Sequence, residues 1–126
     1  MAWWVLVRHG ESTWNRERRL QGQQDPPLSP QGRRQVEALR RRLEGVPFAH
    51  AYASDLARAA ETARILTGGS DVPLTPTAAL REVRLGRWEG RLYAELAAEE
   101  PEPFGAFLAR HPTVYAAPGG ATRRQA

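Results

Sequence analysis

Short apolar runs alternate along the chain with longer stretches in which apolar residues recur at helical spacing. The first run, residues 3–7, is aromatic and β-branched, which predicts a buried strand. It stops at Arg8-His9-Gly10, where the glycine permits a sharp turn. Residues 11–27 are polar and rich in Arg and Gln, and they predict a loop with a brief helical turn. The pattern therefore predicts that His9 lies just after the end of a strand, where a loop begins.

A helix start follows, with Ser29 suited to the N-cap and Pro30 to the first helical position. Apolar residues recur at helical spacing as far as Leu43, and Gly45 supplies the C-terminal stop. Most arginines of this helix are expected on a solvated outer face. They are Arg33, Arg34, Arg40, Arg41 and Arg42.

The same alternation is repeated once more. Residues 48–53 predict a second strand that ends at Ser54-Asp55. A second helix is expected from there to about Leu66, closed by Gly68-Gly69. The residues of this helix expected to face inward are Leu56, Ala59, Ala60, Ala63 and Leu66.

The remaining pattern predicts one extended segment and two short helices. Residues 72–80 are extended but interrupted by proline, which favours a sheet edge. Short helices are expected at residues 92–99 and 104–110, with Pro101 and Pro103 between them.

Strands that alternate with helices predict an α/β fold, in which helices cover the faces of a sheet. Neither a repeat nor an interdomain linker is visible, so we expect residues 1–126 to form a single domain. Ligands collect at the carboxyl ends of strands in such sheets. The segments Arg8-His9-Gly10 and Ser54-Asp55 are therefore the first candidates for a site.

Composition narrows the classes of function. The chain has no cysteine, which excludes disulfides and thiolate metal sites, and its three histidines show no metal-ligand spacing. We therefore expect neither a metal nor another cofactor. No apolar run approaches the roughly 20 residues that cross a bilayer. Residues 2–7 are too short for a signal-peptide core, so we expect a cytoplasmic protein without a membrane partner.

The net charge is +4, and all eighteen basic residues are arginine. A binder of the nucleic-acid phosphate backbone is one hypothesis, but no nucleic-acid motif is present and aromatic residues do not interleave with the basic ones. We therefore expect no nucleic-acid partner. A GC-rich coding sequence would give the same arginine bias. Arginine nevertheless suits phosphate, because its planar fork binds two oxygens at once.

Three clusters of residues carry candidate chemistry. In the first, His9 follows a predicted strand and stands beside Arg8, whose charge disfavours the imidazolium and leaves more of the nucleophilic neutral ring. Arg8, Ser12 and Asn15 are able to donate hydrogen bonds to an anion held against that ring. A histidine that only caps a strand is the alternative.

The second cluster places Arg58 in the first turn of a helix that follows a strand. Helix N-termini attract anions, so this position is poor for helix stability and good for binding phosphate. The alternative is a surface salt bridge between Arg58 and Asp55 or Glu61.

The third cluster, residues 80–91, holds two carboxylates among four arginines. A carboxylic acid near the leaving oxygen would speed the cleavage of a phosphate ester. Glu82 and Glu89 are the two candidates, and simple charge balance is the alternative for either.

Together these motifs resemble the signatures of the histidine phosphatase superfamily, whose members are similar to phosphoglycerate mutase. The matching strings are Leu6-Val7-Arg8-His9-Gly10-Glu11-Ser12 with Trp14 and Asn15, then Ser54-Asp55-Leu56-Ala57-Arg58-Ala59-Ala60-Glu61-Thr62-Ala63. The patterns Leu-x-Glu and Gly-x-Trp-Glu-Gly follow within residues 80–90, and Pro118-Gly119-Gly120 begins a fourth motif. The resemblance extends from residue 3 to residue 120.

The resemblance implies a three-layer α/β/α sandwich of the phosphoglycerate-mutase type. It implies that His9 becomes phosphohistidine and that Glu82, at the Leu-x-Glu position, is the proton donor. Arg8, Arg58 and Asn15 would bind the phosphoryl group, with Ser12 a weaker candidate. No metal would be needed. The expected partner is a small phosphorylated substrate or inorganic phosphate, and self-association into a homo-oligomer is left open.

Two branches of the family remain to be distinguished. The Gln21-Gly22 pair and the short stretch between Gly90 and Pro118 resemble the phosphatase branch. The expected reaction is therefore hydrolysis of phosphomonoesters, and phosphoryl transfer of the phosphoglycerate mutase type is the alternative.

The resemblance stops after Gly120, where the family continues to a second His-Gly. We expect a fold that is incomplete at its C-terminus, through a frameshift, an early stop or an incomplete gene prediction. Low or absent turnover is expected for such a chain, and an inactive fragment that only binds anions or protein is the alternative. His50 and His111 are expected to be structural. Without the missing strand, Trp3, Trp4, Val5 and Leu6 would lack neighbours.

Overall fold

The computed structural model describes residues 3–109. Within them the helices are α1 (Thr13–Glu17), α2 (Pro30–Arg42), α3 (Ala57–Thr67), α4 (Tyr93–Glu99) and α5 (Pro101–Leu108). The strands are β1 (Ala51–Ser54) and β2 (Leu74–Thr77), and short 3-10 turns occupy Ala78–Leu80 and Gly86–Trp88. No helix of this part of the chain is long and apolar enough to span a membrane.

β1 and β2 form a parallel pair in which Ala51 lies opposite Leu74 and Ser54 lies opposite Thr77. Parallel strands need a crossover connection, and here α3 supplies it. α3 packs against both strands, and α2 packs against α3. The predicted α/β fold is confirmed, and the extended segment at residues 72–80 contains the second strand of the pair.

The prediction of a buried strand at residues 3–7 is wrong for the described structure. No strand is assigned there, and the side chains are exposed, with Trp3 at 87% and Leu6 at 93% of full exposure. A strand forms only where its backbone N–H and C=O groups find partners. The side chains from Trp3 to Leu6 therefore lack neighbours among the described residues, as the resemblance led us to expect.

The helix predicted to start at Ser29 is confirmed as α2. The Ser29 hydroxyl accepts a hydrogen bond from the Gly32 N–H at 3.0 Å, and Pro30 fills the first helical position. Val36 is buried and the five arginines are exposed, as the helical spacing predicts. Arg40, Arg41 and Arg42 fall in the last turn, where positive charge is favourable to the helix dipole.

The inward face of α3 is only partly predicted. Leu56, at its N-cap, and Ala60 are buried, but the other buried side chains are Arg58 and Thr62 rather than Ala59, Ala63 and Leu66. Two polar side chains thus occupy a buried stripe, because both find hydrogen-bond partners there.

α5 begins earlier than predicted, since Pro101 and Pro103 lie in its first turn rather than between two helices. The first turn of a helix has N–H groups without intrahelical partners, so proline loses nothing there.

Trp88 anchors the hydrophobic core that holds residues 80–90 in place. Its side chain is fully buried among Leu20, Leu85, Leu96 and Phe104, with the Phe104 ring edge-to-face at 5.9 Å. The indole N–H donates to Glu100 Oε2 at 2.8 Å, which satisfies its polar group. This bond is the largest cause of the lowered pKa of Glu100, followed by the bond from Arg87.

Two glycines let the segment after His9 lie directly on α2. A Cβ at Gly10 would stand 2.7 Å from Gly32 O and 2.8 Å from Val36 Cγ2. A Cβ at Gly32 would overlap the Glu11 carbonyl oxygen. Backbone therefore packs on backbone, which only glycine allows.

We predict that Gly32→Ala destabilises the protein by about 1–3 kcal/mol, the usual range for overpacking, because backbone atoms have to move apart. Urea unfolding followed by circular dichroism measures this. Gly105→Ala in α5 is the matched control, since its Cβ would meet nothing within 4 Å. That control should stabilise by roughly 0.5–1 kcal/mol. Equal unfolding midpoints for the two variants would contradict the close contact.

Candidate active site

His9 lies at the end of the segment that α2 supports, and its ring is half-buried. Nδ1 lies 2.6 Å from the Gly10 carbonyl oxygen. Because a carbonyl oxygen only accepts, Nδ1 carries the proton and donates it. In the neutral ring Nε2 then holds the free electron pair, so Nε2 is the nucleophilic nitrogen.

A buried hydroxyl joins this segment to α3. The Gly10 N–H donates to Thr62 Oγ1 at 3.1 Å, and the same hydroxyl donates to the Arg58 carbonyl oxygen at 2.7 Å. Thr62 thus fixes the backbone beside His9 relative to the helix that carries Arg58. The sequence alone assigns Thr62 no role, and its place inside the Arg58 motif is the one signal it carries.

Arg58 projects from the first turn of α3 and is only 3% exposed. Its Nη2 donates to Gly22 O at 2.7 Å and its Nη1 to Gln24 O at 2.9 Å. Burial lowers the pKa of the guanidinium, while Glu82, Asp25 and Glu89 raise it. Arginine stays charged even so, because its ordinary pKa is far above neutral.

The salt-bridge alternative for Arg58 is not what the structure shows. Asp55 instead forms a bidentate ion pair with Arg81, with N···O distances of 2.6 and 2.7 Å. Hydrogen bonding to Arg81 is the largest cause of the lowered pKa of the Asp55 carboxyl. Glu61 pairs with Arg33 at 2.7 Å. The Arg58 guanidinium is bound by backbone carbonyls and lines a cavity instead.

This cavity has a volume of about 260 Å³ and brings His9, Arg58 and Glu82 together. The rest of its lining is Ser54, Leu56, Ala59, Leu80 and Arg81. It lies at the carboxyl end of β1, where parallel sheets bind ligands. The carbonyl oxygen of Glu82 accepts from Gln23 Nε2 at 3.2 Å, and its carboxylate accepts from the Val83 N–H at 2.8 Å.

A second, more open cavity shares His9 with the first. Arg8, Glu11, Asn15 and Gln35 complete its lining. Arg8 and Asn15 therefore share one cavity with His9, and Arg58 and Glu82 share the other cavity with it. Three arginines thus line the two cavities that share His9, namely Arg8, Arg58 and Arg81.

Ser12 lines neither of these cavities. It is fully buried, accepts from the Asn15 N–H at 3.0 Å and donates to Gln21 Oε1. Asn15 Oδ1 in turn accepts a hydrogen bond from the Ser12 N–H at 3.0 Å, and the two bonds together form a capping box for α1. The Ser12 hydroxyl thus holds the loop rather than facing an anion.

The pKa of His9 is lowered, and burial of the ring is the largest cause. The charges of Arg58 and then Arg8 add to this, whereas the Gly10 hydrogen bond and Glu82 act in the opposite direction. The sequence had suggested Arg8 as the cause. Burial contributes more because it removes water from the charged form of the ring.

Residues 3–109 contain no group of three His, Cys, Asp or Glu side chains placed to hold a metal ion. His50 stands apart from the cavity, stacked on Tyr52 with its Nε2 2.7 Å from Thr75 Oγ1. His111 and the Pro118-Gly119-Gly120 motif lie outside the described residues.

Known proteins resemble this chain over most of its length. A family model described as the histidine phosphatase superfamily, branch 1, matches residues 4–126. A probable phosphoglycerate mutase GpmB of Enterobacter sp. is 44% identical over 97 residues, which are 75% of this chain and 44% of that protein. Phosphoglycerate mutase-like protein 4 of Arabidopsis thaliana is 38% identical over 118 residues, or 92% and 51%. The chain spans about half the length of these curated relatives.

Solved structures give the same relationship. YhfR of Bacillus stearothermophilus superposes with a TM-score of 0.84 at 43% identity, over 91% of this chain and 56% of that one. A mycobacterial glucosyl-3-phosphoglycerate phosphatase in complex with VO3 gives a TM-score of 0.77 at 37% identity, over 91% and 56%. The cavity around His9 thus belongs to a fold shared with phosphatases.

We predict that His9 titrates at a lower pH in the folded chain than in urea, because burial disfavours its charged form. The measurement is the pH dependence of its Cε1–H NMR signal, assigned as the one missing from His9→Asn. The sign follows from linkage. The contribution of the neutral His9 ring to the free energy of unfolding is fully present above the pKa that His9 has in the unfolded chain. It is lost as the pH falls through the lower pKa of the folded chain. A folded midpoint equal to or above the unfolded one would show that the ring is not desolvated.

Proposed function

The chain belongs to the histidine phosphatase superfamily (branch 1), and we propose that it supports metal-independent hydrolysis of phosphomonoesters through a phosphohistidine intermediate on His9. One observation carries the proposal. A half-buried imidazole whose Nε2 has its lone pair free shares a cavity with a buried guanidinium and with the Glu82 carboxyl group.

In the first proposed step, His9 Nε2 attacks the phosphorus of the ester. The N–P bond forms as the bond from phosphorus to the alcohol oxygen breaks, and the protonated Glu82 carboxyl group gives its proton to the departing oxygen. The His9 Nδ1 proton stays on the ring, held by the Gly10 carbonyl. Such acid assistance contributes on the order of 10²- to 10⁴-fold in rate.

In the second step a water molecule attacks the phosphohistidine. It loses a proton to the Glu82 carboxylate while the N–P bond breaks, which returns neutral His9, protonated Glu82 and inorganic phosphate. Arg58, Arg8 and Asn15 bind the phosphoryl oxygens, and the guanidinium charges oppose the negative charge that spreads over them. The lowered pKa of His9 keeps the attacking nitrogen available at neutral pH.

Hydrolysis and mutase-type transfer differ only in what accepts the phosphoryl group from His9. Both kinds of name occur among the relatives, since curated relatives are called phosphoglycerate mutases or mutase-like and several solved structures are titled phosphatases. The Gln21-Gly22 pair supports hydrolysis because it resembles the phosphatase branch of the family. In a chase of the labelled protein, water as acceptor releases inorganic phosphate. Transfer to an added phosphoglycerate instead would establish the mutase reaction.

We predict that the chain becomes labelled by ³²P-p-nitrophenyl phosphate and that the label is lost in acid but survives alkali, as phosphohistidine does. His9→Asn should remove the label, while the matched control His50→Asn should keep it, because His50 lies outside the cavity. With an alkyl phosphomonoester as donor, whose departing oxygen needs the proton, Glu82→Gln should slow labelling by roughly a hundredfold or more. An acid-stable label, or one that survives in His9→Asn, would exclude His9 as the acceptor.

A further inference from the structure

The carboxylate of Glu89 lies outside both cavities and organises the loop of residues 22–24. Its Oε1 accepts from the Gln23 N–H at 3.1 Å and from the Leu85 N–H at 2.9 Å. Its Oε2 accepts from the Gln24 side-chain amide at 3.0 Å. One half-buried side chain therefore ties this loop to Leu85, the residue directly before the Gly-x-Trp-Glu-Gly motif.

The loop fits closely against this carboxylate. Gly22 has a φ of +54°, in the left-handed region, and a Cβ there would overlap Glu89 Oε1. The same Cβ would stand 3.0 Å from two further Glu89 atoms, Cγ and Cδ. Any side chain at position 22 would push the carboxylate and the loop apart.

The opposite side of the loop holds Arg58. The carbonyl oxygens of Gly22 and Gln24 accept from its Nη2 and Nη1 at 2.7 and 2.9 Å. A guanidinium has five N–H groups, so three remain for an anion in the cavity. Holding the fork in place before the anion arrives lowers the entropy cost of binding.

A single peptide group connects the two sides. The Gly22 C=O and the Gln23 N–H belong to the same planar trans unit, so they point in opposite directions. The N–H faces the Glu89 carboxylate and the C=O faces the Arg58 guanidinium. Hydrogen bonds at both ends of one peptide group polarise it and strengthen each other.

We propose that Glu89 is a positioning residue, which fixes the Arg58 guanidinium for phosphate through the Gly22–Gln23 peptide group. The inference rests on the proposed function only for the identity of the anion. It assigns to Glu89 a role distinct from that of Glu82, the proton donor, although both belong to the same motif region.

The test has two readouts on the full chain. The first is the ¹⁵N NMR spectrum of the Arg58 side chain, assigned with Arg58→Lys, in which restrained Nη groups give separate signals. The second is the dissociation constant for inorganic phosphate, from shifts of the His9 ring signal. In the wild-type chain we expect separate Nη signals, and their averaging into one would overturn the proposal whatever the variants do.

Glu89→Ala should merge the Arg58 Nη signals and weaken phosphate binding about tenfold, the loss expected for one charge-assisted hydrogen bond. Glu89→Gln keeps an oxygen for the Gln23 and Leu85 N–H groups, so it should restore binding to within about threefold of wild type. Glu37→Ala is the control and should change neither readout, because Glu37 is a half-exposed residue of α2 that pairs only with Arg40 in the described structure.

Gly22→Ala breaks the same contact without removing the carboxylate, so it tests the proposal even if Glu89→Ala does not fold. Its matched control is Gly45→Ala, which also has a positive φ, +82°, but would place its Cβ in open space. Weaker phosphate binding in both variants, or in neither, would overturn the role of the Glu89 contact. If wild type binds no phosphate while Glu89→Ala still merges the Nη signals, the proposed function fails and the positioning of Arg58 stands.

Discussion

The contact between two glycines determines where the nucleophile stands. Gly10 and Gly32 carry no side chains, so the backbone after His9 rests on the first turn of α2, whose cap, Ser29, also bonds to Glu11. Thr62 then bonds the same backbone to α3. The backbone beside His9 is thus held from two directions, by the backbone of α2 and by the hydroxyl of Thr62. A 1 Å displacement would cost about 10²-fold in rate in a reaction that depends on such placement.

Burial lowers the pKa of both His9 and Arg58, but the consequence differs between the two groups. Histidine titrates near neutral pH, so the shift leaves it neutral and nucleophilic, whereas arginine has so high a pKa that it keeps its charge. The same low-polarity surroundings therefore provide an uncharged nucleophile beside a permanent cation. The acidic side chains around Arg58 offset part of the cost of burying that charge.

The predicted elements that proved right are those with local causes. Ser29 and Pro30 start α2 because a hydroxyl and a fixed φ satisfy a helix N-terminus without help from distant residues. The segment at residues 3–7 is the opposite case. Its composition favours a strand, but a strand needs a hydrogen-bonded neighbour, and the described residues give it none. Pro101 and Pro103 predict a break between two helices, but they lie in the first turn of α5, a position that also suits proline.

The sequence by itself determined the family, the α/β class, and the candidates His9, Arg58 and Glu82, because motif spacing and helical periodicity are properties of the linear chain. The tertiary structure decided which groups share a cavity, since Glu82 and His9 are more than seventy residues apart in sequence. It also decided that Ser12 caps a helix while Thr62 and Glu89 hold the site together. A hydroxyl or a carboxylate has the same chemistry in every sequence. Its role is set by the partner that folding places within hydrogen-bond distance, and no local pattern encodes that distance.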